Sequence, residues 1–139
     1  MNIDERLIEI LKTTFPKWSV LTEDWFGADE AIHKKRPPYA VYLLPTGGQI
    51  IMQNGRTRDA VEIGVAFLTN VPHDANGEEN IKALNEMKLA ARQFVQAINA
   101  SGHFDPVLTY EYNTIYEELA DITTGVLLTA SVRELKGEC

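Results

Sequence analysis

A single cysteine, Cys139 at the last position of the sequence, excludes an intramolecular disulfide and any cysteine-rich zinc site. Only three histidines occur, His33, His73 and His103, all in segments that read as loops and far apart in sequence. His73-Asp74 lacks a second close pair at ligand spacing, so it reads as two turn residues and no metal site is expected. His103 follows Gly102, where an imidazolium would interact favourably with the C-terminal dipole of a preceding helix. No serine sits in a nucleophile elbow, and the one cysteine has no neighbouring histidine. Gly47-Gly48 lacks the third glycine and the lysine of a phosphate cradle, so no nucleotide cofactor is expected. The carboxylate pairs Glu23/Asp24, Glu78/Glu79 and Glu117/Glu118 are adjacent in sequence and therefore diverge to different faces of either regular element. No catalytic residue is predicted, and an enzyme is not expected.

Two further absences narrow the class. No run approaches the roughly 18 apolar residues of a helical membrane span, and the charged stretch Met1–Arg6 has no apolar core resembling a signal peptide. A protein made in a reducing cytosol is expected. Positive charge is scarce: 13 lysines and arginines against 20 acids give a formal charge of −7, the wrong sign for a dedicated nucleic-acid binder. From Asp105 onward seven acids (Asp105, Glu111, Glu117, Glu118, Asp121, Glu134, Glu138) face only Arg133 and Lys136, which predicts an acidic surface there. What basic density exists lies in Lys34-Lys35-Arg36 and in Arg56 and Arg58. It is either a solvated loop or a patch for an acidic partner.

What is present is regular periodicity in a chain of 139 residues, enough for one α+β domain with an ordinary core. A first helix is expected over about Asn2–Phe15, with Ile3, Leu7, Ile8 and Leu11 as its apolar stripe and Pro16 as its stop. Trp18–Phe26 is strand-like but short, and Gly27–Pro38 reads as a polar connection. Tyr39–Leu44 reads as a strand buried on both faces. Pro45-Thr46-Gly47-Gly48 then reads as a turn returning into Gln49–Gln53, and Asn54-Gly55 as a tight hairpin turn at a polar tip. Val61, Ile63, Val65 and Phe67 alternate along the strand Ala60–Asn70.

The strongest signal is a long helix over Glu78–Ala100. Ile81, Leu84, Met87, Ala91, Phe94, Val95 and Ile98 are expected on one face, with Gly102 ending it. Strands at Val107–Tyr116 and Thr124–Leu135 close the chain, and Leu119 and Ile122 are possible anchors between them. Tyr110, Tyr112 and Tyr116 read as cross-strand packing in preference to a base-stacking platform. The expected fold is two main helices on a largely antiparallel sheet of about four to five strands, with a long protruding hairpin loop.

The order of these elements carries a resemblance. An N-terminal helix and a charged loop precede the Pro-Tyr-led strand Pro38-Tyr39-Ala40-Val41-Tyr42 and a polar-tipped hairpin. Val61-Glu62-Ile63-Gly64-Val65-Ala66-Phe67, one long helix, a Tyr-rich strand and Gly125–Val132 complete the sequence. Over nearly its whole length the chain resembles the tail-completion, or tail-terminator, proteins of tailed phages and prophages, which belong with head-tail joining proteins. That resemblance rests on element order and carries no signature motif. It implies a non-enzymatic virion part that self-associates into a ring, often a hexamer, between the tail tube and the head connector. It also implies assembly in the bacterial host cytoplasm, no specific recognition of the DNA that passes through the ring, and no membrane or cofactor. The loop Pro45–Asp59 would gain structure on assembly. Lys34, Lys35, Arg36, Gly47, Gly48, Asn54, Gly55, Arg56 and Arg58 are then the interface candidates, and an acidic sheet facing a lumen would repel DNA. The other reading open to the sequence is a small α+β module holding a ligand or peptide between the long helix and the sheet.

Overall fold

The short polar residues that precede each apolar-periodic run set the two helix starts. The Asn2 side chain accepts the Glu5 N–H at 2.9 Å and caps α1 (Ile3–Thr14). Asn76 does the same for Glu79 at 2.9 Å and caps α2 (Gly77–Ala100). Glu78 and Glu79 sit in the first turn of α2, where negative charge opposes the helix dipole favourably. Gly102, at φ +78°, supplies the left-handed residue that ends α2. The computed structural model describes residues 2–24, 27, 28, 32, 35–71, 76–118 and 123–135.

Six strands are formed: β1 (Ser19–Glu23), β2 (Tyr39–Leu43), β3 (Gly48–Gln53), β4 (Arg56–Asn70), β5 (Glu111–Glu118) and β6 (Thr123–Arg133). The sheet order is β1-β2-β4-β6-β5, with β3 also paired to β4. All pairings are antiparallel except β1 with β2, so the fold is α+β with a mostly antiparallel open sheet. The strand count is slightly above the expected four to five, because the irregular stretch after Trp18 forms a parallel edge strand.

Both faces of the sheet are covered. On one, α1 and α2 enclose Tyr42, Val65, Phe67, Val126, Leu128, Met87, Phe94 and Ile98. The rings of Phe67 and Phe94 meet there at 6.0 Å between centroids. On the other face Ala28 and Ile32 pack against Tyr39, Val41, Ala66, Leu68 and Ile115. The connection expected to be polar therefore supplies two buried residues, Ala28 and Ile32.

Two expected details are corrected. Pro45–Gly48 is not a turn between paired strands: β3 makes no ladder with β2, and both run antiparallel to β4, end to end. Between them residues 43–47 stand opposite only 62–64, so the segment is a wide irregularity in one long hairpin. Gly48 is required at its end, because a Cβ there would lie 2.3 Å from the Ala60 carbonyl oxygen. Residues 48–53 and 56–59 are thus paired strand within the single chain, closed by Asn54 (φ 53°) and Gly55 (φ 76°) as the turn chemistry predicts.

The strand expected from Val107 begins only at Glu111. Asn99 explains the difference: its side-chain carbonyl accepts the Val107 N–H at 2.8 Å and its amide donates to the Val107 carbonyl at 3.1 Å. A residue held this way by α2 has no backbone groups left for the ladder.

Candidate interaction surface

Where β4 begins, a polar seat fixes the root of the β3–β4 hairpin. Arg58 donates to the Asp105 carboxylate at 3.0 Å and to the Glu134 carbonyl at 3.3 Å. The Glu134 carboxylate accepts the Asp59 N–H at 2.6 Å, and the Glu134 N–H donates to the Asp59 carbonyl at 2.9 Å. Burial raises the pKa of Asp59, and the nearby Glu134 and Asp4 charges raise it further. Tyr42 donates to Asp4 at 2.6 Å, and burial together with that bond holds its phenol above the ordinary value of 10.0. The seat ties the hairpin to Glu134, just past β6, and to Asp105 in the segment after α2. Beyond it the strands stand free of the helices.

The hairpin and the segment leading into it carry exposed apolar side chains. Ile50 and Met52 alternate onto one face of β3 and are 62% and 74% exposed. Leu44, in the irregular segment, is exposed as well. Isolated exposed hydrophobes are ordinary, but two in register on a projecting hairpin form a patch. Arg56, at the tip, is exposed and is the outer hairpin's cation.

The nine interface candidates do not converge. Asn54, Gly55 and Arg56 form the hairpin tip, Gly47 and Gly48 lie at its base opposite Val61 and Glu62, and Arg58 is turned inward and only 14% exposed in its side chain. Lys35 and Arg36 are exposed at the opposite end of the sheet, where β1 and β2 begin. Their carbonyls accept the Tyr39 hydroxyl at 3.1 Å and the Ser19 hydroxyl at 2.7 Å. Lys34 lies outside the described residues, as do His33, His73, Asp74, Leu119, Ile122 and Cys139. The acidic C-terminal segment is partly spoken for. Asp105 pairs with Arg58 and Glu134 binds a backbone N–H, while Glu111 is exposed on β5.

Sequence reasoning missed a second apolar patch. Ile81, expected in the core face of α2, is 55% exposed, and Leu89 is 51% exposed. Asn80 takes the buried place instead, accepting the Thr124 hydroxyl at 2.8 Å across a buried contact to β6. That polar side chain in a core register hid the true phase of the helix's first half. Glu78, Ile81, Lys82, Asn85, Glu86 and Leu89 line a shallow groove of about 550 Å³ along the outer face.

Two other concavities are smaller in volume. A groove of about 480 Å³ between α1 and the end of α2 is lined by Arg6, Glu9, Thr13 and His103, with Arg6 in contact with the His103 ring. A pocket of about 280 Å³ between α2 and the sheet is lined by Lys88, Arg92, Tyr110 and Tyr112. Lys88 lies 5.0 Å from the centre of the Tyr112 ring, a cation–π distance. Among the described residues no group of three or more His, Cys, Asp or Glu side chains is placed to hold a metal ion. Among them, too, no helix is long and apolar enough to cross a membrane.

No protein-family model matches the chain, and comparison with curated proteins gives no match.

Proposed function

We propose that this chain is a structural component of a phage or prophage particle, of the tail-completion type, acting through subunit contacts in a ring at the head-tail junction. The observation that carries the reading is the β3–β4 hairpin. It is fixed at its root by Arg58, Asp59, Asp105 and Glu134, and it exposes Ile50, opposite Asp59, and Met52 beyond it. A rigid projection with an uncovered apolar row fits a part that docks on a neighbour. The element order of the resemblance supports the same reading. Deleting the gene from the phage or prophage that encodes it tests this: the proposal expects filled heads and tails that fail to join. Joined, infectious particles without the protein would contradict it.

The pocket between α2 and β5 favours a second reading, a small module that binds a compact anionic ligand. Lys88 and Arg92 would supply charge, and Tyr110 and Tyr112 would flank the ligand. Native mass spectrometry of the purified chain discriminates: a bound anion lost in Lys88→Ala/Arg92→Ala favours this reading, and bare protein counts against it.

A further inference from the structure

Among the described residues, the exposed pairs Ile50/Met52 and Ile81/Leu89 lie far apart in the fold. α2 starts beside the first residues of β6, where Asn80 meets Thr124, and it ends beside the last ones, where Phe104 bridges Glu134. β4 pairs with β6 from Ala60 opposite Arg133 to Asn70 opposite Thr123, so the hairpin tip projects beyond the end where α2 finishes. The exposed row Ile81/Leu89 runs from the first turns of α2 to its middle, away from the end where the hairpin projects. A chain cannot fold its own hairpin onto its own groove across that length. A second copy can.

We infer that the hairpin of one copy docks, through Ile50 and Met52, in the α2 groove between Ile81 and Leu89 of the next, giving a head-to-tail contact. The inference rests on the assembly role proposed above and names the surfaces that role would use. Two features favour this pairing over a symmetric one. Hairpin against hairpin would set Arg56 against Arg56, whereas the groove is bordered by Glu78 and Glu86 against the single Lys82. Spacing agrees too. Two residues apart on a strand is about 7 Å, and eight residues along a helix is about 12 Å, so the strand pair seats between the helix pair. A head-to-tail contact between unlike patches closes into a ring when the rotation between copies allows it, and otherwise continues as a filament. One hairpin is a small contact, so pairs in solution are expected to be weak, and ring closure, which holds every copy twice, to be stronger.

Complementation tests the inference. Ile50→Asp/Met52→Asp removes the hairpin surface and Ile81→Asp/Leu89→Asp the groove surface, all at exposed positions. The corresponding serine pairs serve if the aspartates disturb folding by circular dichroism. By light scattering the unsubstituted chain is expected to form species larger than a dimer, and each variant alone to remain monomeric. Their mixture is expected to form a complex of two chains and nothing larger, since only one hairpin-groove pair survives. Arg56→Glu is expected to weaken association, and Glu78→Lys/Glu86→Lys in the partner to restore it. Dimers of the groove variant alone, an associating chain whose variants fail to complement, or a chain monomeric at every attainable concentration would overturn the inference. Rings built through other contacts would leave the assembly role standing. Complementation by a chain missing from the particle would do the reverse.

Discussion

Arg58 and Asp59 show how neighbouring residues in one strand take different tasks. Arg58 lies mostly inside the protein with Asp105 as its ion-pair partner, and replacing it removes one donor from that carboxylate and one from the Glu134 carbonyl. Arg58→Met is expected to cost about 1–2 kcal/mol in urea unfolding, less than a fully buried pair because Asp105 retains contact with water. A cycle with Asp105→Asn should show the two effects to be less than additive.

Asp59 works in the other direction. Its pKa is raised in the fold, so the native state holds the proton more firmly than the unfolded chain does. Its ionised form therefore weakens the fold at neutral pH, and the penalty fades as pH falls from the raised value toward the ordinary 3.8. Asp59→Asn is expected to raise the urea midpoint near neutral pH and to give no gain in acid below the carboxylate range. A variant equally stabilised at both pH values would contradict this origin. None of this pairing was legible in the sequence, where Arg58 read as part of an exposed tip. Its partner Asp105 is 47 positions away and is brought near only by the α2–β5 connection.

At the scale of elements, α2 offers a test of phase. Phe94 is fully buried against Phe67, so Phe94→Ala is expected to destabilise by about 3–5 kcal/mol. Ile81→Ala, expected from the sequence pattern to be comparable, should change stability by less than about 0.5 kcal/mol because the side chain faces solvent. Thermal unfolding of the two variants side by side checks the assignment. The existence of α2, its Gly102 stop and the Asn54-Gly55 turn were legible because local chemistry alone decides them. The phase of the helix's first turns was not, since it depends on Asn80 finding Thr124 on a strand formed later in the sequence. The relation of β2 to β3 was hidden for a similar reason. Glycines in Gly47-Gly48 signal a turn, but here one of them permits close passage beside Ala60. Gly125 is a parallel case: a Cβ there would lie 1.9 Å from the Phe67 carbonyl oxygen, so Gly125→Ala is expected to lower the melting temperature sharply.

For the whole molecule, periodicity alone was enough for the fold class, while the candidate surface was only half visible. The hairpin stood out as a polar tip between strands. Its apolar row did not, because Ile50 and Met52 look like ordinary strand residues until the structure shows that nothing covers them. The basic stretch at Lys35 and Arg36, grouped with the hairpin by charge, lies at the far end of the sheet and needs a different neighbour if it meets one. The proposal of an assembling part rests on two separated exposed apolar surfaces, Ile50/Met52 on the hairpin and Ile81/Leu89 on α2.

Cryo-electron microscopy of the tailed particles to which the proposal assigns this chain tests that account most directly. The account predicts a ring of identical copies at the head-tail junction into which this fold fits, each hairpin reaching the adjacent copy. A junction fully occupied by other proteins, with no density for this fold, would contradict it.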